Sequence, residues 1–115
     1  MNSKQLFERA MLLAGYVDVN GDVLVDTGLQ KRAVAIVNQI AADLTVGNVA
    51  PSPITRLGQE LTLDGKAAEA APYGVAMLLA AAQGDTDAQA IFAVIYNRKR
   101  AGAGGFAETR QDVLP

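Results

Sequence analysis

The feature that most constrains the fold is the stretch over residues 70–100, AAPYGVAMLLAAAQGDTDAQAIFAVIYNRKR. Its first part, residues 72–83, has no charged side chain and is apolar around the whole helix, which is typical of a central helix in a soluble domain. Gly84 ends that helix, and the sequence TDAQ at 86–89 has the form of a capping box that starts another. Since the break is short, the two helices are predicted to fold back as an antiparallel pair. The rest of the chain is expected to pack around this pair.

The second helix of the pair, predicted over residues 87–100, ends in three cations where its apolar face should continue. Helical spacing places side chains in two neighbouring rows. One row contains Ile91, Ile95 and Arg98, and the other contains Phe92, Tyr96 and Lys99. Burial of unpaired charge costs several kcal/mol. The last turn is therefore predicted to project past the core or to meet a partner.

Length and composition predict a single helical domain. The chain has 115 residues, half of them hydrophobic, with 5% aromatics and no Trp. Many alanines and few aromatics favour closely packed helices. The predicted fold is mainly α, a small four- to five-helix bundle with an antiparallel C-terminal helical pair. The domain is expected to span residues 1–100, and the glycine-rich residues 101–115 are expected to form a flexible C-terminal tail.

Two further helices are predicted upstream of the pair. One spans residues 4–14, with Ser3 as its cap and Gly15 as the left-handed residue after it. The other spans residues 28–44, capped by Asp26 or Thr27, with apolar residues at an unbroken three-four spacing. That apolar stripe consists of Leu29, Ala33, Ile36, Val37, Ile40 and Leu44.

Proline and the leucines shape the stretch between the second helix and the pair. Pro51 and Pro53 break regular structure. In the stretch from residue 54, Ile54, Leu57 and Leu61 fit a helical spacing, whereas Leu61 and Leu63 alternate with polar residues. The extended interpretation, with the segment held by its leucines, is favoured. Pro72 is expected to kink or restart the next helix, because proline lacks a backbone N–H and clashes with the preceding turn. The main third helix is thus predicted over residues 72–83.

The acidic loop DVNGD resembles a calcium-binding loop only superficially. Asp18, Asn20 and Asp22 are spaced by two, as in an EF-hand. The glycine, however, stands at the fourth position instead of the sixth, and Leu29 occupies the place of the closing glutamate. The loop is interpreted as a solvated turn, in which Asn20 and Gly21 favour a tight hairpin.

The absence of Cys and His excludes most catalytic chemistry. Without them the chain has no disulfide, no thiolate zinc site, no cysteine nucleophile and no imidazole base. We therefore expect no enzyme, no cofactor and no metal.

The net charge of -2 does not give the broad positive field of a general nucleic-acid binder. No apolar run reaches the length of about 20 residues that a membrane span requires, so the protein is expected to be intracellular and unprocessed.

The sequence from residue 65 to residue 100 resembles a family of small helical phage proteins. The segments ELTLD, PYGVAMLLA and IYNRKR, with the helical pair upstream at residues 4–44, are similar to the head-tail connector or head-completion proteins of tailed bacteriophages and prophages. The resemblance extends over about residues 4–100. It implies a non-enzymatic helical subunit that assembles as a ring under the portal, closes the filled capsid and joins it to the tail.

The resemblance also implies partners and a contact surface. The partners are the portal protein, tail-side proteins and other copies of the chain in the ring, with no membrane and no specific nucleic acid, although packaged DNA is nearby. The implied location is the head-tail junction of the virion, and the host cytoplasm during assembly. The predicted protein-interaction residues are Tyr73, Tyr96, Asn97, Arg98, Lys99 and Arg100.

Two other functions stay open. A small helical DNA-binding regulator of prophage origin would insert a helix into the major groove through Lys31 and Arg32 or through the NRKR end, and its binding would depend steeply on salt. An enzyme working through carboxylates such as Asp18 and Asp22 is disfavoured, because both lie on a turn without a visible partner.

For the 96–100 cluster, the alternative to a contact surface is simple stabilisation of a helix end by cations. For Tyr73 the alternative is core packing.

Overall fold

The computed structural model describes residues 1–15, 27–45, 53–63 and 65–102, with the backbone alone described for residues 27–30. Within these ranges the chain forms four helices: α1 (Ser3–Ala14), α2 (Thr27–Leu44), α3 (Gly65–Ala82) and α4 (Thr86–Ala101). The described residues include no strand, and one isolated antiparallel bridge joins Asn2 to Glu60. The predicted small helical bundle is confirmed. The predicted NG hairpin, the DVNGD loop and the tail from residue 103 lie outside the described residues.

The third helix is the centre of the bundle, as its all-round apolar surface predicts. α3 packs against α1, α2 and α4. Its buried residues are Ala70, Ala71, Pro72, Gly74, Val75, Ala76, Leu79 and Ala80. α4 follows after a break of only three residues and packs most extensively on α3, which agrees with the predicted antiparallel pair. Ala81 and Ala82, at the end of α3, are exposed.

The prediction that the main third helix begins at Pro72 is wrong. α3 begins at Gly65 and passes through Pro72, which is buried. An internal proline costs about 3 kcal/mol through a lost hydrogen bond and a clash. The turns on both sides of Pro72 bury apolar side chains against neighbouring helices, and this burial offsets the cost.

Two helix caps lie one residue earlier than the sequence predicts. Asn2, and not Ser3, caps α1, and its side chain accepts hydrogen bonds from the amides of Lys4 and Gln5 at 2.9 and 3.2 Å. Asp85, and not Thr86, caps α4 by accepting from the amide of Ala88 at 3.1 Å. In both cases the longer side chain satisfies an amide that has no partner within the helix. Gly15 ends α1 in the left-handed conformation, at φ 84°, as predicted.

Residues 53–63 form an irregular segment that is tied to two helices. Ile54, Leu61 and Leu63 are buried, so apolar residues hold the segment as predicted. The predicted extended conformation is wrong for residues 55–59, which form bends and a turn. Asn38 of α2 accepts from the Ile54 amide at 2.8 Å and donates to the Ile54 carbonyl at 2.9 Å. In the middle of the segment, the Gly58 amide donates to the buried Ser3 hydroxyl. The segment thereby joins the start of α1 to the middle of α2.

Candidate functional site

α4 is anchored to the bundle by Tyr96, which fits against a glycine of α3. The Tyr96 side chain is 2% exposed. A Cβ atom at Gly74 would lie 2.7 Å from Cε1 of Tyr96 and 2.9 Å from Cδ1 of Ile40. These distances are shorter than carbon atoms tolerate, so the absent side chain at Gly74 provides the space in which α2, α3 and α4 meet.

The carboxylate of Asp43 receives two donors from α4. The Tyr96 hydroxyl and Nη1 of Arg100 each donate to Oδ2 of Asp43, at 2.5 Å. Asp43 lies in the last turn of α2, where the helix dipole disfavours a negative charge and where no basic residue of α2 is present. Arg100 supplies the compensating charge from another helix. We call Asp43, Tyr96 and Arg100 the α2–α4 clasp.

The clasp keeps Tyr96 protonated. Burial raises the pKa of the Tyr96 hydroxyl well above its ordinary value, and the hydrogen bond to Asp43 and its negative charge raise it further. Arg100 acts in the opposite direction, with the smaller effect. At neutral pH Tyr96 is therefore a hydrogen-bond donor, which suits a structural role and not that of a nucleophile or general base.

A second contact between the α4 end and the bundle involves Lys99. Its Nζ atom lies 5.2 Å from the centroid of the Tyr73 ring, which is half-buried on α3. The guanidinium carbon of Arg100 lies 5.7 Å from the centroid of the Tyr96 ring. Both distances fall within the range of cation–π attraction.

The structure thus divides the predicted interaction residues into two groups. Tyr73, Tyr96, Lys99 and Arg100 contact other helices of the same chain, whereas Asn97 and Arg98 are exposed. The expectation that the last turn of α4 projects past the core is corrected: it packs on the bundle, because Arg100 has a partner on α2 and Lys99 has one on α3, while Arg98 is exposed. Whether the group contacts another protein stays a prediction.

The sequence did not identify Asp43 as part of this site. Asp43 falls on the polar side of the α2 stripe, where it reads as a solvated residue. The available signal was its position, since an acid near a helix C-terminus favours a nearby cation, and α4 ends in cations that the core cannot hold. Asp43 precedes Tyr96 by 53 positions and Arg100 by 57 positions in the sequence. Helical periodicity does not predict contacts between residues so far apart along the chain.

An open groove adjoins the clasp between α2, α3 and the end of α4. It has a volume of about 470 Å³. Its lining includes Gln39, Asp43, Met77, Leu78, Asn97 and Arg100. A second depression of about 410 Å³ shares Gln39 and Leu78 with it and continues along α2 to Arg32. The groove is open to solvent and mixes apolar and charged walls.

Among the described side chains, large apolar residues are exposed on two helices. On α1, Leu12 is 53% exposed and Leu13 is 38% exposed. On α4, Ile91 is 60% exposed and Val94 is 54% exposed. Exposed apolar patches on small proteins frequently mark contact surfaces. The α4 pair lies on the side of the helix away from Tyr96, between the exposed residues Asp87 and Arg98.

Two features are absent from the described residues, a cluster of metal ligands and a membrane-spanning helix. No cluster of three or more acidic side chains that could hold a metal ion occurs among them. None of the helices in the described ranges is long and apolar enough to cross a membrane. Asp18, Asn20 and Asp22 lie outside those ranges, and Lys31 and Arg32 are exposed on α2. Neither a protein-family model nor a curated protein nor a solved structure matches the chain.

Proposed function

We propose that this chain is a non-enzymatic assembly protein of a tailed bacteriophage or prophage, a head-tail connector that docks on the portal as a ring. The observation that carries the proposal is the construction of the α4 end. Tyr96 and Arg100 hold the last turn to Asp43, while Asn97 and Arg98 are exposed on the same turn. A contact surface on a fixed backbone binds with a smaller loss of conformational entropy.

The chemistry of this surface suits a protein partner. Arginine and tyrosine are enriched among the residues that dominate binding energies. Arg98 provides an exposed guanidinium, and Lys99 lies beside it over the Tyr73 ring. We assign this surface to the portal. The exposed Leu12 and Leu13 of α1 supply apolar area for contacts between subunits of the ring, in which one surface of each copy meets a different surface of the next.

The DNA-binding alternative is less well supported by the same geometry. Of the cations in the NRKR end, Arg100 is bound to Asp43 and Lys99 lies over Tyr73. Both are thereby directed toward the bundle, and the whole chain carries a net charge of -2. A groove-reading helix needs several cations that reach the phosphates together.

The experiment is native mass spectrometry of the chain co-expressed with the portal protein encoded in the same phage or prophage genome. The wild type is expected to form a complex with several copies of the chain per portal ring. The double variant R98E/K99E is expected to bind at least about tenfold more weakly, equivalent to about 1.4 kcal/mol. The double variant K31E/R32E on α2 makes the same change of charge and is expected to bind like the wild type.

Two results would overturn the proposal. One is a wild-type chain that stays monomeric beside a correctly folded portal. The other is equal binding by both double variants, given circular dichroism spectra that show intact helices. Retention of duplex DNA by the wild type, with a steep loss between low and moderate salt, would instead support the regulator.

A further inference from the structure

We propose that two copies of this chain pair through the outer face of α4, with the two helices antiparallel and related by a two-fold axis. The outer face consists of Asp87, Ile91, Val94 and Arg98. All four residues are exposed, and they point away from the clasp that fixes α4 to its own bundle. The pairing is independent of the proposed function, because it concerns the isolated chain.

Helix geometry places these residues on one face. A helix turns by about 100° per residue, so all four lie within about 40° of the direction opposite Tyr96. The Tyr96 ring is buried against Gly74, and the opposite direction is therefore the solvent side of α4. The two apolar residues lie in the middle of the face, and the acid and the cation lie at its two ends.

The order of these residues makes the face complementary to itself. Asp87 lies four residues before Ile91, and Arg98 lies four residues after Val94. A two-fold axis between Ile91 and Val94 therefore brings each Asp87 opposite the other copy's Arg98, and each Ile91 opposite the other copy's Val94. A parallel pair would place acid against acid and cation against cation. The charge pattern consequently selects a second, antiparallel copy.

The contact is small, so the pair should be reversible. A face of about three turns buries less area than a standard protein interface, and the association is expected to increase with concentration. Arg98 belongs both to this face and to the surface that we assign to the portal. A subunit bound to the portal through Arg98 would thus have to leave the pair.

Sedimentation equilibrium of the full chain over a range of concentrations tests the pairing. The wild type is expected to show a monomer–dimer equilibrium. D87R puts two cations on the face and R98D puts two acids there, so each variant alone should dimerise at least about tenfold more weakly. An equimolar mixture of D87R and R98D should regain the dimer, because every acid then faces a cation.

Further variants separate the pairing from effects on folding. R9D makes the same charge change as R98D, but at Arg9, an exposed residue of α1, and it should dimerise like the wild type. I91S keeps both charges but removes apolar area, and it should weaken the dimer without loss of helix content by circular dichroism. Three results would each refute the proposal. The wild type could stay monomeric at every concentration, or D87R and R98D alone could dimerise like the wild type. The third is a mixture of D87R and R98D that dimerises no more strongly than either variant alone.

Discussion

Tyr96 is the side chain on which the attachment of α4 depends most directly. Its ring occupies the space left by Gly74, and its hydroxyl donates to Asp43 of α2. The hydroxyl is useful there only while it carries its proton. Because burial raises the pKa of Tyr96, the proton is bound more tightly in the folded chain than in the unfolded chain.

Replacement of Tyr96 by phenylalanine should lower the free energy of unfolding by about 1.5–3 kcal/mol at pH 7, the usual contribution of a hydrogen bond to a charged group. The difference should be nearly constant from pH 7 to about pH 9. Above about pH 10 the unfolded tyrosine loses its proton first, so wild-type stability should fall relative to Y96F, by at most about 1.4 kcal/mol per pH unit. Urea unfolding of both proteins from pH 7 to pH 11 measures this.

Tyr73 provides the matched control for this experiment. It is half-buried on α3. Y73F removes a tyrosine hydroxyl outside the clasp and retains the ring over which Lys99 lies, so its stability at pH 7 should stay closer to that of the wild type than the stability of Y96F does. A Y96F variant whose stability runs parallel to the wild type up to pH 11 would contradict the assigned role of the Tyr96 proton.

For individual residues of α4, the sequence predicted the side of the helix on which they lie better than it predicted their contacts. The helical row of Phe92 and Tyr96 packs on the bundle as predicted, whereas Ile91 in the neighbouring row is exposed, against the prediction that both rows form the apolar face. The rows also predicted that the last cations would project past the core or meet partners. The identity of those partners, Asp43 and Tyr73, depends on how α2 and α3 lie beside α4, and local periodicity contains no information about that arrangement.

In α3, Gly74 stands at a position where the neighbouring helices leave no room for a side chain. G74A should improve the intrinsic helix propensity by about 1 kcal/mol. The new methyl group, however, would lie 2.7 Å from the Tyr96 ring, which the clasp holds in place. Overpacking of this kind costs about 1–3 kcal/mol, so we expect a net loss of stability in thermal and urea unfolding.

Gly102 is the control for the substitution at Gly74. It lies at the end of α4 with φ -79°, and the nearest atom to a Cβ there is 3.5 Å away. G102A should leave stability unchanged or raise it slightly. If G74A were as stable as G102A, the three helices could not meet as closely as described.

Helix boundaries were predicted to within a few residues wherever local signals decided them. Gly15 ended α1, and the break after α3 came at the expected place. The start of α3 was missed because Pro72 obeys a local rule that tertiary burial overrides. The caps were displaced by one residue because Asn2 and Asp85 are capping residues that directly precede Ser3 and Thr86, and spacing alone does not choose between neighbours. The Ser3 hydroxyl instead accepts from the Gly58 amide.

For the molecule as a whole, the irregular segment 53–63 is expected to contribute to folding stability as a helix does. Asn38 binds both backbone groups of Ile54, and those groups have no regular secondary structure to satisfy them. N38A should lower the free energy of unfolding by about 1–3 kcal/mol, because it leaves a partly buried donor and acceptor unpaired. It should also speed limited proteolysis within this segment.

The neighbouring residue gives the comparison for N38A. Gln39 is exposed, and Q39A should change stability by less than about 0.5 kcal/mol. Equal unfolding midpoints for N38A and Q39A, with equal proteolysis of the segment, would show that Asn38 does not hold it. The sequence anticipated the role of the leucines here, but an amide on the polar side of α2 gave no sign that it binds backbone.

The clasp also sets an order of events during synthesis. Asp43 leaves the ribosome 53 residues before Tyr96, an interval of several seconds at about 5–20 residues per second. During that time α2, and α3 once it has been made, lack the ring that fills the space at Gly74 and the cation that neutralises the end of α2. The nascent chain therefore completes its core only when its last helix has been made, and a ribosome stalled within α4 would hold an unfinished bundle.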